Sequence, residues 1–411
     1  MSKPCHSDTV LNAFAVENGE FIIGGIPLTR LAERVGQTPF YAYDRQKITD
    51  RVAHLRKYLP EEINLHYAIK ANPMPAIVQH LAGLVDGFDL AAGGEMGVAL
   101  DTPLSPDNIS VAGPGKSERE IGSAIAAGAT LNLESENELE TAAREGERLG
   151  IKPKVAVRVN PDFELKSSGM KMGGGPKQFG IDAERVPTVL ARIKKLGLDF
   201  QGFHIFSGSQ NLRSEAIIEA QEKTFELAYR LADDAPSSVK KLNIGGGFGI
   251  PYFPGEQPLD IASIGERLDD LLIEKQSRLP EAKVIIELGR YLVGEAGVYV
   301  CRVVERKLSR GHVFLVADGG LHHHLAASGN FGQVIRKNYP VLIGTKMDST
   351  EIETASVVGP LCTPLDLLAD KMELPGADID DLVVILQSGA YGLSASPTTF
   401  LSHPAPVEIL V

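Results

Sequence analysis

The sequence predicts an α/β protein with a (β/α)8 barrel and a second, mostly β domain, and three observations lead to this fold class. Short β-rich runs recur eight times between residues 64 and 289, at spacings of roughly 20–40 residues. Helical stretches separate them, which favours a parallel sheet with crossover connections. Eight such units suit a closed barrel, although an open doubly wound sheet has the same pattern. After about residue 297 the pattern becomes that of antiparallel strands.

The strand candidates of the barrel, in chain order, are residues 64–70, 87–91, 108–113, 130–135, 154–160, 200–208, 241–246 and 283–289. Two of the intervening stretches, residues 135–150 and 214–234, have clear helical patterns. The β domain has strand candidates at residues 19–28, 298–308, 312–320, 353–362, 381–391 and 404–411. We therefore expect a barrel over residues 39–296 and a β domain formed by residues 297–411 and completed by the N-terminal segment, residues 1–38.

Composition narrows the class of protein and its partners. The 411 residues carry a net charge of -12 and no basic patch, so nucleic acid is not an expected partner. Charged residues interrupt every apolar run, and the N-terminus has no signal-peptide core, so no membrane association is expected. Three cysteines, Cys5, Cys301 and Cys362, fit free thiols in a reducing cytoplasm.

Polar residues concentrate at the predicted C-terminal ends of the barrel strands, where the catalytic groups of such barrels lie. These residues are Lys70, Asp89, Glu95, Arg158, Asn160, His204, Ser207, Ser209, Glu287 and Arg290. The run "GGGFG" (residues 245–249) follows the seventh strand. Glycines there can direct backbone N–H groups at a phosphate, or they can simply form a tight turn.

Lys70, at the end of the first strand candidate, has two interpretations. It is either a solvated or paired lysine, with Asp89 or Glu95 as partner, or a buried neutral amine that attacks a carbonyl group. A phosphate cradle on the same edge favours a phosphorylated carbonyl compound, either pyridoxal phosphate or a sugar phosphate. Glu287 favours pyridoxal phosphate, because a carboxylate beside the pyridine nitrogen keeps that nitrogen protonated. His204 can stack on the ring.

Seven motifs in order resemble those of the fold type III pyridoxal phosphate decarboxylases, the diaminopimelate, ornithine and arginine decarboxylase group. The motifs are "HYAIKANP", "GFDLAAGGE", "HIFSGSQ", "NIGGGFG", "ELGR", "GPLCTPLD" and "GAYGLSAS". The resemblance covers about residues 40 to 410 and is diaminopimelate decarboxylase-like. It implies an alanine-racemase-like barrel with a β domain, and pyridoxal phosphate as the cofactor.

The resemblance also implies a role for each matching residue. Lys70 forms the Schiff base, His204 stacks on the pyridine ring and Glu287 binds its nitrogen. The remaining cofactor contacts are Asp89, Arg158, Ser207, Gly245, Gly246, Gly247, Arg290 and Tyr391. Cys362 matches the thiol that a partner subunit lends for protonation, which implies a homodimer with active sites at its interface. Without the motif, Cys362 reads as a small buried apolar residue.

Two segments depart from the diaminopimelate pattern and bear on the substrate. An acidic residue that binds a distal ammonium usually follows the motif cysteine, but here Thr363 stands there. The segment "GGLHHHLAASGNFGQVIRKNYP" also replaces the usual substrate segment. Expected substrate contacts are Arg290, Arg336, Tyr339, Thr363 and Tyr391. The substrate is therefore expected to be an acylated, anionic or carrier-linked amino acid.

Three alternatives remain open at this point. The chain can be a diaminopimelate decarboxylase that makes lysine, a non-catalytic regulatory homologue, or a Schiff-base aldolase acting on a sugar phosphate. Lys70, His204, Glu287 and Cys362 argue against the regulatory homologue, and an aldolase leaves Glu287 unexplained. The adjacent histidines His322, His323 and His324 point in different directions in a strand or loop, so no metal site is expected.

Overall fold

The computed structural model describes residues 14–163, 170–171, 173–331, 333 and 335–411. It contains two compact units. One comprises Asp50–Ile250 and Pro258–Tyr291, and the other comprises the described part of Met1–Thr49 together with Pro251–Gln257 and Leu292–Val411. Among the described residues, no helix has both the length and the apolar character that crossing a membrane requires.

The first unit is a closed barrel of eight parallel strands. Each strand pairs with the next along the chain, and the eighth pairs with the first, which closes the sheet. The strands are Asn64–Ala68, Gly87–Leu90, Ile109–Val111, Thr130–Leu133, Lys154–Asn160, Asp199–Ile205, Lys241–Gly246 and Lys283–Leu288. The short strand Ile181–Asp182 pairs with the fifth barrel strand. The predicted barrel is thus confirmed, and the open sheet is excluded.

Helices connect consecutive barrel strands, and both predicted helices are present. The helix Glu136–Leu149 begins where the Ser135 side chain accepts the N–H of Glu138, and it ends at Gly150 in a left-handed conformation. The helices of the described residues are Leu28–Val35, Arg45–Tyr58, Pro75–Ala82, Gly93–Leu100, Glu118–Ala127, Glu136–Leu149, Val186–Leu196, Ser214–Ala232, Ile261–Arg278 and Arg290–Val293. The second predicted helix is Ser214–Ala232.

The second unit is mostly β. Its main sheet contains Phe40–Tyr43, Gly297–Ser309, His312–Ala317, Val341–Ile343, Ile352–Val358, Leu367–Pro375, Leu382–Ile385 and Val407–Leu410. A small sheet contains Val16–Glu17, Glu20–Ile23 and Ile26–Pro27. Gly297–Ser309 pairs with three antiparallel neighbours. The mostly β domain is confirmed. Two of its strand pairs are parallel, unlike the antiparallel pattern of the sequence: His312–Ala317 pairs with Ile352–Val358, and Phe40–Tyr43 pairs with Val407–Leu410.

The N-terminal part of the chain contributes a strand to this β unit. Phe40–Tyr43 pairs antiparallel with the start of Gly297–Ser309, and its side chains are buried. Phe40 packs in a core with Phe21, Leu28 and Val384. The unit therefore reaches to Thr49, whereas the sequence prediction placed the boundary at residue 39.

Three consecutive histidines, His322, His323 and His324, lie fully buried in the β unit. Burial lowers the pKa of His322 and of His323 to about 4, and that of His324 to about 3. They are therefore neutral in the folded chain at neutral pH, whereas in the unfolded chain they take up protons near pH 6.5. The free energy of unfolding should thus fall as the pH drops from about 6.5 towards 4.

This pH dependence can be measured by denaturant unfolding at pH 7 and pH 5. Each buried histidine should contribute up to about 1.4 kcal/mol per pH unit. His322→Phe removes one titrating group, so it should reduce the fall in the free energy of unfolding between pH 7 and pH 5. The substitution breaks no hydrogen bond among the described residues, because both ring nitrogens of His322 lack a partner there. His312→Phe, outside the cluster, is the control. An unchanged pH dependence in His322→Phe would contradict the assignment.

Candidate active site

Lys70 lies just beyond the C-terminal end of the first barrel strand. The strand Asn64–Ala68 ends two residues earlier than predicted, and Lys70 occupies a 3₁₀ turn, Ile69–Ala71. The backbone N–H of Asn72 closes this turn by donating to the carbonyl of Ile69 at 2.9 Å. Lys70 is exposed, and its role as the Schiff-base lysine stays a prediction. The turn places the amine at the barrel edge where catalytic groups lie.

His204 and Glu287 form a buried pair inside the barrel. The Nε2 atom of His204 lies 3.3 Å from Oε2 of Glu287, and both side chains are almost fully buried. The same carboxylate oxygen accepts from Nδ2 of Asn243 at 3.1 Å. Burial alone raises the pKa of Glu287, but His204, Lys70 and Arg158 together hold it well below its usual range. The carboxylate therefore stays ionised at neutral pH.

A second polar network crosses the first four barrel strands. Asp89 lies 3.2 Å from His66 (Oδ2 to Nδ1), and it accepts the hydroxyl of Ser110 on its other oxygen. Nδ2 of Asn132 donates to Ser110 Oγ at 3.2 Å. Sequence reasoning found Asp89 but missed the other three. Their positions along the strands could have revealed them. His66, for example, stands between the buried Leu65 and Tyr67, so its side chain points to the opposite side of the sheet.

The glycine run after the seventh strand is a tight turn that requires glycine. Gly245 and Gly247 have φ values of 69° and 76°, a region that favours glycine. A Cβ atom on Gly246 would lie 2.1 Å from the carbonyl oxygen of Glu287, and one on Gly247 equally close to that of Gly208. The backbone of this turn thus packs directly against neighbouring backbone, with no room for a side chain. Its contact with a phosphate stays a prediction.

Two further predicted cofactor residues lie at this end of the barrel. Ser207 follows the sixth strand and is half-buried. Arg290 begins the short helix Arg290–Val293 directly after the eighth strand and is also half-buried. Both therefore stand at strand ends, as the sequence predicted, and their roles stay predictions.

Arg158 on the fifth strand forms a buried ion pair that the sequence did not reveal. Its Nη1 atom lies 2.8 Å from Oε1 of Glu134, and both side chains are almost fully buried. Arg158 also aligns with His204 on the neighbouring strand. Burial raises the pKa of Glu134, but the Arg158 and Lys116 charges outweigh this effect and lower it overall. Arg158 thus has a fixed anionic partner within the barrel unit.

Cys362 lies on an exposed loop of the β unit. Cys362 is exposed, so the alternative interpretation as a buried apolar residue is wrong. The buried carboxylate of Asp366 organises this loop: it accepts the N–H of Leu361 at 2.8 Å and that of Leu321 at 2.6 Å. Thr363 follows Cys362 and is half-buried. The loop holds the thiol in a defined and accessible place within its own unit.

The other predicted substrate residues also lie in the β unit. The guanidinium of Arg336 donates to the carbonyls of Ser328 at 3.1 Å and Leu367 at 3.0 Å, and to the side chain of Asn338. Tyr339 is buried among aromatic rings, including those of Tyr252 and His324. Tyr391 is half-buried with a φ of 53°. Their contacts with a substrate stay predictions.

The described residues contain no group of three or more histidine, cysteine, aspartate or glutamate side chains arranged to hold a metal ion. Two of the three adjacent histidines form hydrogen bonds within the β unit instead. His323 reaches the carbonyl of Pro404 at 2.8 Å, and His324 lies 2.8 Å from Ser388 Oγ.

Comparison with known proteins identifies the family. Residues 45–294 match the family described as pyridoxal-dependent decarboxylase, pyridoxal binding domain. This chain is a pyridoxal-dependent decarboxylase. It is 39% identical to the L-glutamyl-[BtrI acyl-carrier protein] decarboxylase of Niallia circulans, over 93% of this chain and 90% of that one. It is 32% identical to the diaminopimelate decarboxylase of Aquifex aeolicus, over 96% and 91%.

A solved structure supports the same fold for this decarboxylase. Diaminopimelate decarboxylase from M. jannaschi superposes with a TM-score of 0.87 at 25% identity, and the match covers 98% of this chain and 93% of that one. The predicted family, the predicted fold class and the carboxy-lyase activity are confirmed, and the aldolase and non-catalytic alternatives are set aside. The cofactor of the family is pyridoxal phosphate.

The barrel residues fit this cofactor on three observations. The turn admits only glycine at residues 246 and 247, because a Cβ there would clash with neighbouring backbone, so no side chain covers its N–H groups. A buried carboxylate, Glu287, is held anionic, as a protonated ring nitrogen requires. Nδ1 of the buried His204 has no hydrogen-bond partner among the described residues. When bound, pyridoxal phosphate accepts the electron pair that decarboxylation leaves on the α-carbon.

Proposed function

We propose that this decarboxylase removes the α-carboxyl group of an amino acid whose distal carboxyl group is linked to a carrier protein as a thioester. The amino acid would lack a free distal ammonium. The observation that carries the proposal is Thr363, which stands directly after the exposed Cys362. A hydroxyl cannot pair with a buried ammonium, and an unpaired buried charge is costly.

A known relative supports this substrate class. The Niallia circulans protein is a decarboxylase of an L-glutamyl acyl-carrier protein, and its match to this chain includes nearly the whole length of both. The diaminopimelate decarboxylases match at lower identity, as the Aquifex aeolicus protein illustrates. Diaminopimelate is therefore the second candidate substrate.

The residues of the chain would divide the work as follows. Lys70 would hold the cofactor by its amine, and Glu287 would keep a proton on the ring nitrogen. His204 would fix the ring plane, since its own position is held by Glu287 at 3.3 Å. The glycines at 245–247, with Ser207 and Arg290, would bind the phosphate. Fixed orientation of the reacting carboxyl group lowers the entropic part of the barrier.

Protonation of the α-carbon would be the task of Cys362. We propose a cytoplasmic homodimer in which the partner subunit's Cys362 delivers this proton. Support comes from the exposure of the thiol and from its loop, which Asp366 holds in place. The small number of cysteines, with Cys301 and Cys362 both free, fits a reducing compartment.

Substrate preference tests the proposal. Carbon dioxide release is measured with the cofactor-loaded enzyme on L-glutamyl thioesters of an acyl carrier protein and on free glutamate, diaminopimelate, lysine and ornithine. We expect kcat/KM to be at least about 100-fold higher for the thioester than for any substrate with a distal ammonium, because such an ammonium would be left unpaired. Turnover of diaminopimelate at an equal or higher kcat/KM would contradict the proposal.

A substitution at Thr363 sharpens this test. Thr363→Asp restores a carboxylate after the motif cysteine and should shift the preference towards diaminopimelate by about tenfold or more. Thr354→Asp, which adds the same charge at an exposed position of the same unit, is the matched control. An equal response of both variants would show that Thr363 does not select the substrate.

A further inference from the structure

Glu134 lies directly after the fourth barrel strand and makes several buried polar contacts that the predicted site does not use. Its Oε1 atom accepts from Nη1 of Arg158 at 2.8 Å and from the N–H of Gly113 at 2.5 Å. Its Oε2 atom accepts from the N–H of Gly180 at 3.1 Å. The carboxylate thus connects three parts of the barrel unit. Gly113 follows the third strand, Arg158 belongs to the fifth strand, and Gly180 precedes the strand Ile181–Asp182.

Arg158 is placed to transmit this constraint to the cofactor site. It aligns with His204 on the neighbouring strand, and His204 contacts Glu287. The guanidinium also packs 5.1 Å from the ring of Phe179. The charge of Arg158 contributes to the low pKa of Glu287, so the two groups interact electrostatically. Arg158 and Glu134 are both almost fully buried, and charges interact strongly in such surroundings.

We propose that Glu134 is a positioning residue that holds the guanidinium of Arg158 away from Glu287, so that the Glu287 carboxylate stays available to the ring nitrogen of the cofactor. This proposal rests on the cofactor placement given under the proposed function. A buried guanidinium that loses its partner turns to another anion. Glu287 is an anion that interacts electrostatically with Arg158, and a new pair between them would compete with the cofactor for its carboxylate.

A second buried ion pair beside the first supplies a matched control. Glu138 pairs with Lys116 at 2.9 Å, and both are almost fully buried. Oε2 of Glu138 also accepts the N–H of Glu134 at 2.8 Å. Lys116 donates further to the carbonyls of Gly113 and Asn132. Loss of this pair disturbs the same region of the barrel, but no contact between Glu138 and Arg158 is among the described ones.

The test compares E134Q with E138Q. The dissociation constant of pyridoxal phosphate and the visible circular dichroism of the bound cofactor are measured, with the melting temperature as a control for folding. We expect E134Q to weaken cofactor binding about tenfold or more and to change the dichroism, while E138Q stays within about twofold of the natural enzyme. Equal effects of the two substitutions would overturn the proposal. If E134Q does not fold, E134D replaces it with the same expectations.

A double-mutant cycle separates action through Arg158 from a direct effect. If Glu134 acts through Arg158, E134Q should cause no further loss of cofactor affinity in an R158Q background. Additive losses would overturn the proposal. Failure of the natural enzyme to bind pyridoxal phosphate would instead overturn the proposed function, so the two failures are distinguishable.

Discussion

Lys70→Ala should lower the rate of decarboxylation by about three orders of magnitude or more, because it removes the amine proposed to hold the cofactor and to exchange with the substrate. The effect should fall mainly on kcat. The rest of the barrel should fold normally, since the side chain of Lys70 is exposed and its turn is closed by backbone and Asn72 contacts. The measurement is single-turnover carbon dioxide release with the substrate that proves active.

The matched control is Lys241→Ala. Lys241 is the first residue of the seventh barrel strand, at the end of the barrel opposite the catalytic edge. It donates to Thr130 Oγ1 at 3.2 Å and to the carbonyl of Asp107. Its loss should reduce stability and leave kcat within a few-fold of the natural value. Comparable activity of Lys70→Ala and Lys241→Ala would contradict the role of Lys70.

Glu287→Gln should lower kcat about 100-fold, the second largest effect that we expect. Its surroundings keep the carboxylate ionised at neutral pH, and only an anion holds a proton firmly on the ring nitrogen. The glutamine is similar in size and can still accept from Asn243, so the barrel should remain folded. Steady-state kinetics and a melting curve check both statements.

Glu145→Gln provides the control for the loss of a buried carboxylate. Glu145 lies on the helix Glu136–Leu149, is largely buried and pairs with Arg148 at 2.6 Å. Its substitution should leave kcat unchanged within about twofold, because no cofactor contact is assigned to it. A kcat for Glu287→Gln within tenfold of the natural enzyme would contradict the assignment of Glu287.

The barrel could be predicted from the sequence because each strand signal is local. An apolar β-rich run followed by a polar end identifies a strand wherever it pairs, and the serine and glycine around Glu136–Leu149 mark that helix directly. The sixth strand shows the limit of such reasoning. It ends at Ile205 instead of residue 208, because Gly208–Ser209 leaves the barrel and pairs with Met170–Lys171.

The features that could not be predicted depend on groups far apart in the chain. The parallel pairing of His312–Ala317 with Ile352–Val358 follows from the order of strands in the sheet, which alternation within one strand does not encode. Glu134 falls within the strand candidate 130–135, and nothing near it in the sequence indicates its ion pair with Arg158, 24 residues away. The exposure of Lys70 likewise depends on the turn that follows its strand.

The central claim is that Lys70 binds pyridoxal phosphate covalently, and borohydride reduction tests it most directly. The purified holoenzyme is reduced, digested and analysed by peptide mass spectrometry. We predict a phosphopyridoxyl mass on the peptide that contains Lys70, and no such mass on that of Lys241. Label on another lysine, or none in an enzyme that releases carbon dioxide, would contradict the account.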